Sequence, residues 1–210
     1  MNIRPPLLHT LGHALVAALL VPALLAPAHA ERADRAAPLS VAADREGTVD
    51  LIKQVVVFTG NVVVTKGSIV IKAARVEVRE AADGYRTALA IGAPGQPASF
   101  RQKREGLDEY IEGRADRLEY DARGDVVKFS GHAVVQRLRG DIVADRITGN
   151  QITYDNTAEV FSVEGGTPGG SASSDGRVRA VLSPREGTPA AAEAAAAVAS
   201  APASAPAGRP

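Results

Sequence analysis

Hydrophobic and polar residues alternate along the segment Val55–Arg79. Ile69 and Ile71 are separated by a single residue, and so are Val76 and Val78. A period of two places one set of side chains on one face of a β-strand, whereas a helix requires a spacing of three or four. The segment therefore predicts strands with one buried face, and the same pattern recurs through most of the chain.

Between Leu39 and Ser183, runs of strand-forming residues are separated by short turn-forming groups. Glycine beside a polar residue marks the predicted chain reversals, since such residues tolerate positive φ. These groups are Thr59-Gly60-Asn61, Lys66-Gly67-Ser68, Asp83-Gly84, Ser130-Gly131, Arg139-Gly140 and Gly149-Asn150. No window has the period of an amphipathic helix. The pattern predicts an all-β domain, either a sandwich or a jelly roll.

A longer repeat lies on top of this alternation. The phrase Ala43-Asp44-Arg45 returns as Ala115-Asp116-Arg117, and Phe58-Thr59-Gly60-Asn61 returns as Phe129-Ser130-Gly131-His132. A strand-turn-strand unit cannot bury its own apolar face, so repeated units are expected to stack on one shared core. The charged residues of the repeated phrase are expected to form cross-strand ion pairs on a solvated face.

Alternation also predicts which side chains point inward. Most of these are medium-sized aliphatic residues, and the chain contains no Trp. The predicted inward set is Val62, Val64, Ile69, Ile71, Val76, Val78, Leu118, Tyr120, Val127, Phe129, Ile142, Ala144, Ile152 and Tyr154.

The two ends of the chain differ from its centre. Residues 1–30 contain a basic residue, an apolar run and Ala28-His29-Ala30, which together predict a signal peptide cleaved after Ala30. A retained membrane anchor is the alternative, since the run approaches spanning length. Residues 31–38 are expected to be a short linker, residues 39–183 the β domain, and the Ala/Pro-rich residues 184–210 a disordered tail. The mature chain is thus expected outside the cytoplasm.

Composition argues against several classes of function. The chain has no Cys, and only His132 follows the predicted cleavage site, so neither a zinc site nor a cofactor site is indicated. His132 lies at a predicted hairpin tip, where His is tolerated for backbone reasons, and it has no evident catalytic partners. Equal numbers of basic and acidic residues, 24 each, argue against a nucleic-acid binder. No enzymatic activity is expected.

Four segments together resemble the LptA/OstA-like family of periplasmic lipopolysaccharide-transport domains. These segments are Phe58–Gly67 continued through Ile69–Val78, Gly95–Gln102, Phe129–Ala133 and Gly149–Tyr154. They occur in the family's order, with His132 where Asn is usual.

The resemblance implies a twisted, open β-jelly roll made of two antiparallel sheets with an apolar slot between them. It implies a periplasmic protein that shelters the lipid A acyl chains of lipopolysaccharide and passes them from the inner to the outer membrane. The implied partners are an inner-membrane-anchored jelly-roll protein, an outer-membrane barrel complex and further copies joined head to tail, with no nucleic acid. The residues implied to contact lipid are Val62, Val64, Ile69, Ile71, Val76, Val78, Leu118, Tyr120, Phe129 and Ile142.

Three alternatives remain open from the sequence. One is the inner-membrane-anchored sister of the same transport system, which would keep its N-terminal segment. Another is a structural β-sandwich adaptor without lipid cargo. The third is a carbohydrate-active enzyme on a β scaffold, which would depend on His132 and exposed carboxylates.

Overall fold

The computed structural model describes residue 34 and residues 36–104, 106–166, 177–185 and 187–200. The predicted leader, residues 1–30, lies outside the described residues. Within them, antiparallel strands follow one another and a single helix comes last. The elements are β1 (Leu39–Ala42), β2 (Gly47–Asp50), β3 (Val55–Lys66), β4 (Ile69–Glu80), β5 (Arg86–Ile91), β6 (Ala98–Lys103), β7 (Glu109–Ala115), β8 (Arg117–Asp121), β9 (Val126–Arg139), β10 (Ile142–Asp155), β11 (Val160–Glu164), β12 (Arg179–Leu182) and α1 (Pro189–Ser200). The all-β prediction is confirmed.

The four long strands each belong to two layers. The second half of β4 pairs with β5, whereas its first half pairs with β6. Likewise the first half of β9 pairs with β8, and its second half pairs with β7. Layer 1 therefore runs β2-β3-β4-β5-β8-β9-β10-β11, and layer 2 runs β1-β3-β4-β6-β7-β9-β10-β12, with the long strands shared. This arrangement agrees with the predicted jelly roll of two antiparallel sheets.

The long strands pass between the layers at irregularities rather than at turns. The β3–β4 register shifts between Thr59 and Val62, and the β9–β10 register shifts between Gly149 and Gln151. The predicted reversals at residues 59–61, 130–131 and 149–150 are therefore wrong, because β3, β9 and β10 each continue through them. A bulge and a reversal both draw on glycine at positive φ, so composition does not separate them.

The repeated phrases meet at these crossings. The Asp44 N–H donates to the Gly60 carbonyl at 2.9 Å, and Asn61 Nδ2 donates to Asp44 Oδ2 at 2.8 Å. In the second copy, the Asp116 N–H donates to the Gly131 carbonyl at 2.9 Å. The repeated Asp thus holds a strand crossing, and it does not form the cross-strand ion pair expected from sequence.

His132 occupies the position of Asn61 in the second crossing. Its Nδ1 lies 2.8 Å from Asp116 Oδ2, and its φ of 46° is close to the 44° of Asn61. His132 therefore lies inside β9 and not at the predicted hairpin tip. The bond to Asp116 and the positive φ together give this residue a local structural role.

Residues near both ends of the described chain pack onto the β domain. Asp34, within the predicted linker, is buried, and its carboxylate accepts from the Ser68 N–H at 2.6 Å and from Ser68 Oγ at 2.5 Å. Part of the predicted disordered tail forms α1. Thr188 precedes this helix with its Oγ1 accepting from the Ala191 N–H, and Pro189 takes the first helical position, where its missing N–H costs nothing.

Candidate functional site

The predicted inward residues meet between the two layers, with one exception. All except Ile142 are at most 6% exposed. Ile142 is 74% exposed, so its predicted inward burial is wrong. It is the first residue of β10, and alternation gives the face of a strand but not whether the second layer extends over that position.

The middle of the interior is filled by protein. Phe100 of layer 2 and Phe129 of layer 1 meet edge to face, with ring centroids 5.8 Å apart. Gly113 leaves room for the Phe129 ring, which a Cβ at this position would strike. The buried residues form one continuous hydrophobic cluster. The structure therefore contradicts a slot that is open along its whole length, and the interior opens only towards its ends.

The first opening, which we call the N-terminal mouth, lies between β1 of layer 2 and β2 and β3 of layer 1. It is a cleft of about 360 Å³. Its walls are mainly apolar side chains that continue the core, namely Leu39, Val41, Val49, Val56, Phe58 and Val78. Apolar surface that faces an open cleft is suited to bind apolar groups.

The second opening, the C-terminal mouth, lies at the other end, between β7, β9 and β10 of layer 2 and β10 and β11 of layer 1. It is larger, about 1000 Å³. Its apolar wall contains Ile111, Tyr154 and Phe161, and the last two rings are stacked with centroids 4.5 Å apart. This mouth also contains a group of charged residues, whereas the N-terminal mouth is mainly apolar.

Glu109 is the centre of that charged group. Its Oε1 accepts from Arg137 Nη1 at 2.9 Å and from Arg139 Nε at 3.1 Å, and its Oε2 accepts from Arg104. Arg104 also donates to Glu159 Oε2 at 2.6 Å. Because Arg104 follows β6 of layer 2 and Glu159 precedes β11 of layer 1, this bond ties the two layers together across the mouth.

Partial burial and ion pairing both act on these groups. Burial of Glu109, whose side chain is 13% exposed, opposes its ionisation, but the hydrogen bonds from Arg137, Arg104 and Arg139 outweigh it and hold the pKa of Glu109 below its ordinary value of 4.5. Burial likewise opposes the charge of Arg137, and the hydrogen bonds to Asp145 and Glu109 more than offset it, which raises the pKa of Arg137. The mouth therefore remains charged at neutral pH.

Sequence reasoning did not identify this charged mouth, although its signal is present. Arg137 and Arg139 continue the inward alternation of Ala133 and Val135 along β9, so inward charge follows inward apolar residues. Inward-pointing charge near the end of a sheet also discourages uncontrolled edge pairing. The arginines were hidden because charged residues were assumed to face water.

Two further observations concern only the described part of the chain. No three His, Cys, Asp or Glu side chains there come together in a way that would hold a metal ion. None of the helical segments described has both the length and the apolar character required to cross a bilayer.

Comparisons with known proteins agree with this geometry. The family model described as LptA/(LptD N-terminal domain) LPS transport protein matches residues 40–160. The lipopolysaccharide export system protein LptA of Escherichia coli K12 is 32% identical over 147 residues, which cover 66% of this chain and 72% of that protein. LptA of Haemophilus influenzae is 30% identical over 149 residues, which cover 71% of this chain and 78% of the relative.

A solved structure shares the fold. It is LptH of Pseudomonas aeruginosa, described as the LptA homologous periplasmic component of a lipopolysaccharide transport device. The likeness has a TM-score of 0.62 at 24% identity and covers 72% of this chain and 99% of that one. The matched family model, the two curated relatives and the two-layer fold lead to one conclusion: this chain belongs to the LptA/(LptD N-terminal domain) family of LPS transport proteins.

Proposed function

We propose that this protein is a periplasmic carrier that passes lipopolysaccharide from the inner towards the outer membrane. The observation that carries the proposal is an apolar interior that reaches the surface at two opposite ends. A cargo could enter at one mouth and leave at the other without its acyl chains crossing water. The two curated relatives are named as lipopolysaccharide export proteins, which supports the same cargo.

The energetics favour an acyl cargo. Each buried methylene contributes about 0.8 kcal/mol, so one acyl chain of a dozen carbons gains on the order of 10 kcal/mol by leaving water. Because the middle of the interior is filled, the layers must separate as the chain enters. Contacts between the layers are then replaced by contacts with lipid, and little apolar surface is exposed to water.

The proposed contact residues follow from this route. Entry begins at Leu39, Val41 and Phe58 in the N-terminal mouth and continues past the deeper positions predicted from sequence. Those deeper positions are Val62, Val64, Ile69, Ile71, Val76, Val78, Leu118, Tyr120 and Phe129. Ile142 is left out of this set because it lies outside the buried cluster.

The charged C-terminal mouth suits an amphiphile with an anionic headgroup. Arg104, Arg137 and Arg139 lie beside the apolar wall formed by Tyr154 and Phe161. Guanidinium groups bind phosphate through paired hydrogen bonds. A lipid A phosphate would exchange with Glu109 or Glu159 for these donors while the acyl chains remain against the aromatic wall.

The assembly and the location belong to the same proposal. We infer that a signal peptide is cleaved after Ala30, that residues 39–183 act as the carrier domain, and that copies stack head to tail between an inner-membrane-anchored jelly-roll partner and an outer-membrane barrel complex. The β1 edge at one end and the β10 edge at the other support stacking, because sheet edges bind added strands. N-terminal sequencing of the periplasmic protein should begin at Glu31.

Photocrosslinking tests the cargo and its location together. A photoreactive phenylalanine replaces Phe58 at one mouth or Phe161 at the other, and the control replaces Tyr85, an exposed aromatic residue outside both mouths. All three substitutions exchange one aromatic ring for another, so folding is preserved. Lipopolysaccharide should label Phe58 and Phe161 and should spare Tyr85. Equal labelling at all three positions would overturn the assignment.

A further inference from the structure

The edge of β10 is covered by a segment that lies beyond the matched family region. β12 pairs with β10 from Asp145↔Leu182 to Thr148↔Arg179. The family model ends at residue 160, before this strand begins. β12 therefore occupies the outer edge of layer 2 at the end of the fold where the C-terminal mouth opens.

The residues that follow β12 cross that mouth. The Ser183 N–H donates to Asp145 Oδ1 at 2.9 Å, and Arg139 Nη1 donates to the Pro184 carbonyl at 3.5 Å. Pro184, Arg185, Thr188 and Ala190 line the cleft together with Tyr154 and Phe161. The segment Arg179–Ala190, which we call the strap, thus covers both the strand edge and part of the mouth.

The strap is held by few buried contacts. All four residues of β12 are exposed, including Val181 at 67% and Leu182 at 70%. β11, which covers the other half of the same β10 edge, packs Phe161 and Val163 against the core. A short strand without buried side chains has little beyond its backbone bonds to hold it, so it opens before the rest of the sheet.

A second copy of this chain could use the same edge. β1 is the opposite edge of layer 2, and among the described strands β3 is its sole partner. Placing β1 of one copy on β10 of the next would continue layer 2 from molecule to molecule. Since an uncovered strand edge readily accepts another strand, β12 and an incoming strand compete for one surface.

We propose that the strap is a displaceable cap that blocks stacking and covers the C-terminal mouth until a second copy replaces it. The proposal rests on the stacked carrier proposed above. In the single chain β12 satisfies the β10 edge, which keeps the free protein from adding copies. In the assembly the strap leaves, and the mouth then faces the next molecule.

A reversible lock tests the cap in the full-length chain. Arg146 and Val181 are exposed Cα partners on β10 and β12. Paired Cα atoms in an antiparallel sheet lie within the range of a disulfide. Because the chain has no Cys, the R146C/V181C variant forms the sole disulfide when it is oxidised. Sedimentation velocity of one sample, oxidised and then reduced, compares the locked and free strap.

The cap predicts that the oxidised variant stays monomeric at concentrations where the reduced variant assembles. An opposite change is the A180P/V181P variant, which removes two strap N–H groups, one of which points at β10. It should assemble at a concentration roughly five- to tenfold lower than the parent chain. Circular dichroism and thermal unfolding verify that both variants fold.

The outcomes separate the cap from the carrier function. Equal assembly of the oxidised and reduced forms, or no assembly of either, would overturn the cap. Lipopolysaccharide labelling at Phe58 is measured on the same samples. Labelling that persists while assembly ignores the lock refutes the cap alone, whereas loss of labelling with lock-dependent assembly refutes the carrier alone.

Discussion

Phe100 and Phe129 meet with ring planes at 85°, and they belong to opposite layers of the fold. Their contact lies at the middle of the interior, where the two layers are in direct contact. We expect Phe129→Ala to lower the free energy of unfolding by about 3–5 kcal/mol, because the cavity cannot fully collapse. Urea denaturation measures this value. Phe129→Leu is the matched control and should cost much less; similar losses for both variants would mean that ring volume at this position does not matter.

Glu109 predicts a pH dependence. Its pKa is lower in the folded protein than in the unfolded chain, so its contribution to stability is complete above the ordinary value of 4.5 and is lost as the pH falls through the lower folded value. Glu109→Gln should lower the free energy of unfolding at pH 7 by roughly 1–3 kcal/mol, because three partly buried arginines lose an ionised acceptor.

The difference between Glu109→Gln and the parent should shrink as the pH falls below the folded pKa of Glu109. Thermal unfolding measured from neutral to acidic pH records it. Glu119→Gln, an exposed carboxylate paired with Arg117, is the control and should change stability little at any pH. A difference for Glu109→Gln that stays constant over the whole range would refute the assigned linkage.

The two crossings of the repeat make a matched experiment possible. Asn61 already makes at Asp44 the contact that His132 makes at Asp116. His132→Asn should therefore preserve stability, since Asn also tolerates positive φ. His132→Val should lower the free energy of unfolding by about 1–3 kcal/mol, because a β-branched residue is strained there and the bond to Asp116 is lost. Chemical denaturation of both variants tests the pair, and equal effects would contradict a backbone role.

Asp34 tests whether the chain before β1 is only a linker. Asp34→Ala removes the acceptor of the Ser68 N–H and hydroxyl, which should lower the free energy of unfolding by about 1–3 kcal/mol. Asp141→Ala, on an exposed turn, serves as the control for charge removal. An effect of Asp34→Ala no larger than the control would mean that the segment contributes nothing.

The sequence predicted the inward face of most strands because alternation along a strand is a local property. Val62 and Leu118 are buried as their spacing indicates. The path of the long strands was not predicted, because the glycines that mark a turn also mark a bulge, as at Gly60 and Gly131. The relation between β4 and two different partner strands is non-local, and no residue of β4 encodes it alone.

The candidate site was predicted unevenly for similar reasons. Its apolar residues follow from alternation, but the filled middle depends on how closely the layers approach, which only Phe100, Gly113 and Phe129 together reveal. The charged mouth depends on Arg137 facing inward at the end of β9. The strap depends on β12 returning to β10, a pairing with no local signal in Arg179–Leu182.

Separation of the two layers by lipid is the central claim, and a distance measurement tests it most directly. Lys72 and Glu119 are outward-facing residues of layers 2 and 1, and since the chain has no Cys, Lys72→Cys and Glu119→Cys accept a single pair of spin labels. Pulsed electron–electron resonance measures the label distance alone, with lipopolysaccharide and with deacylated lipopolysaccharide. The account predicts an increase of several ångströms with intact lipopolysaccharide and none with the deacylated form. An unchanged distance at saturating lipopolysaccharide would contradict it.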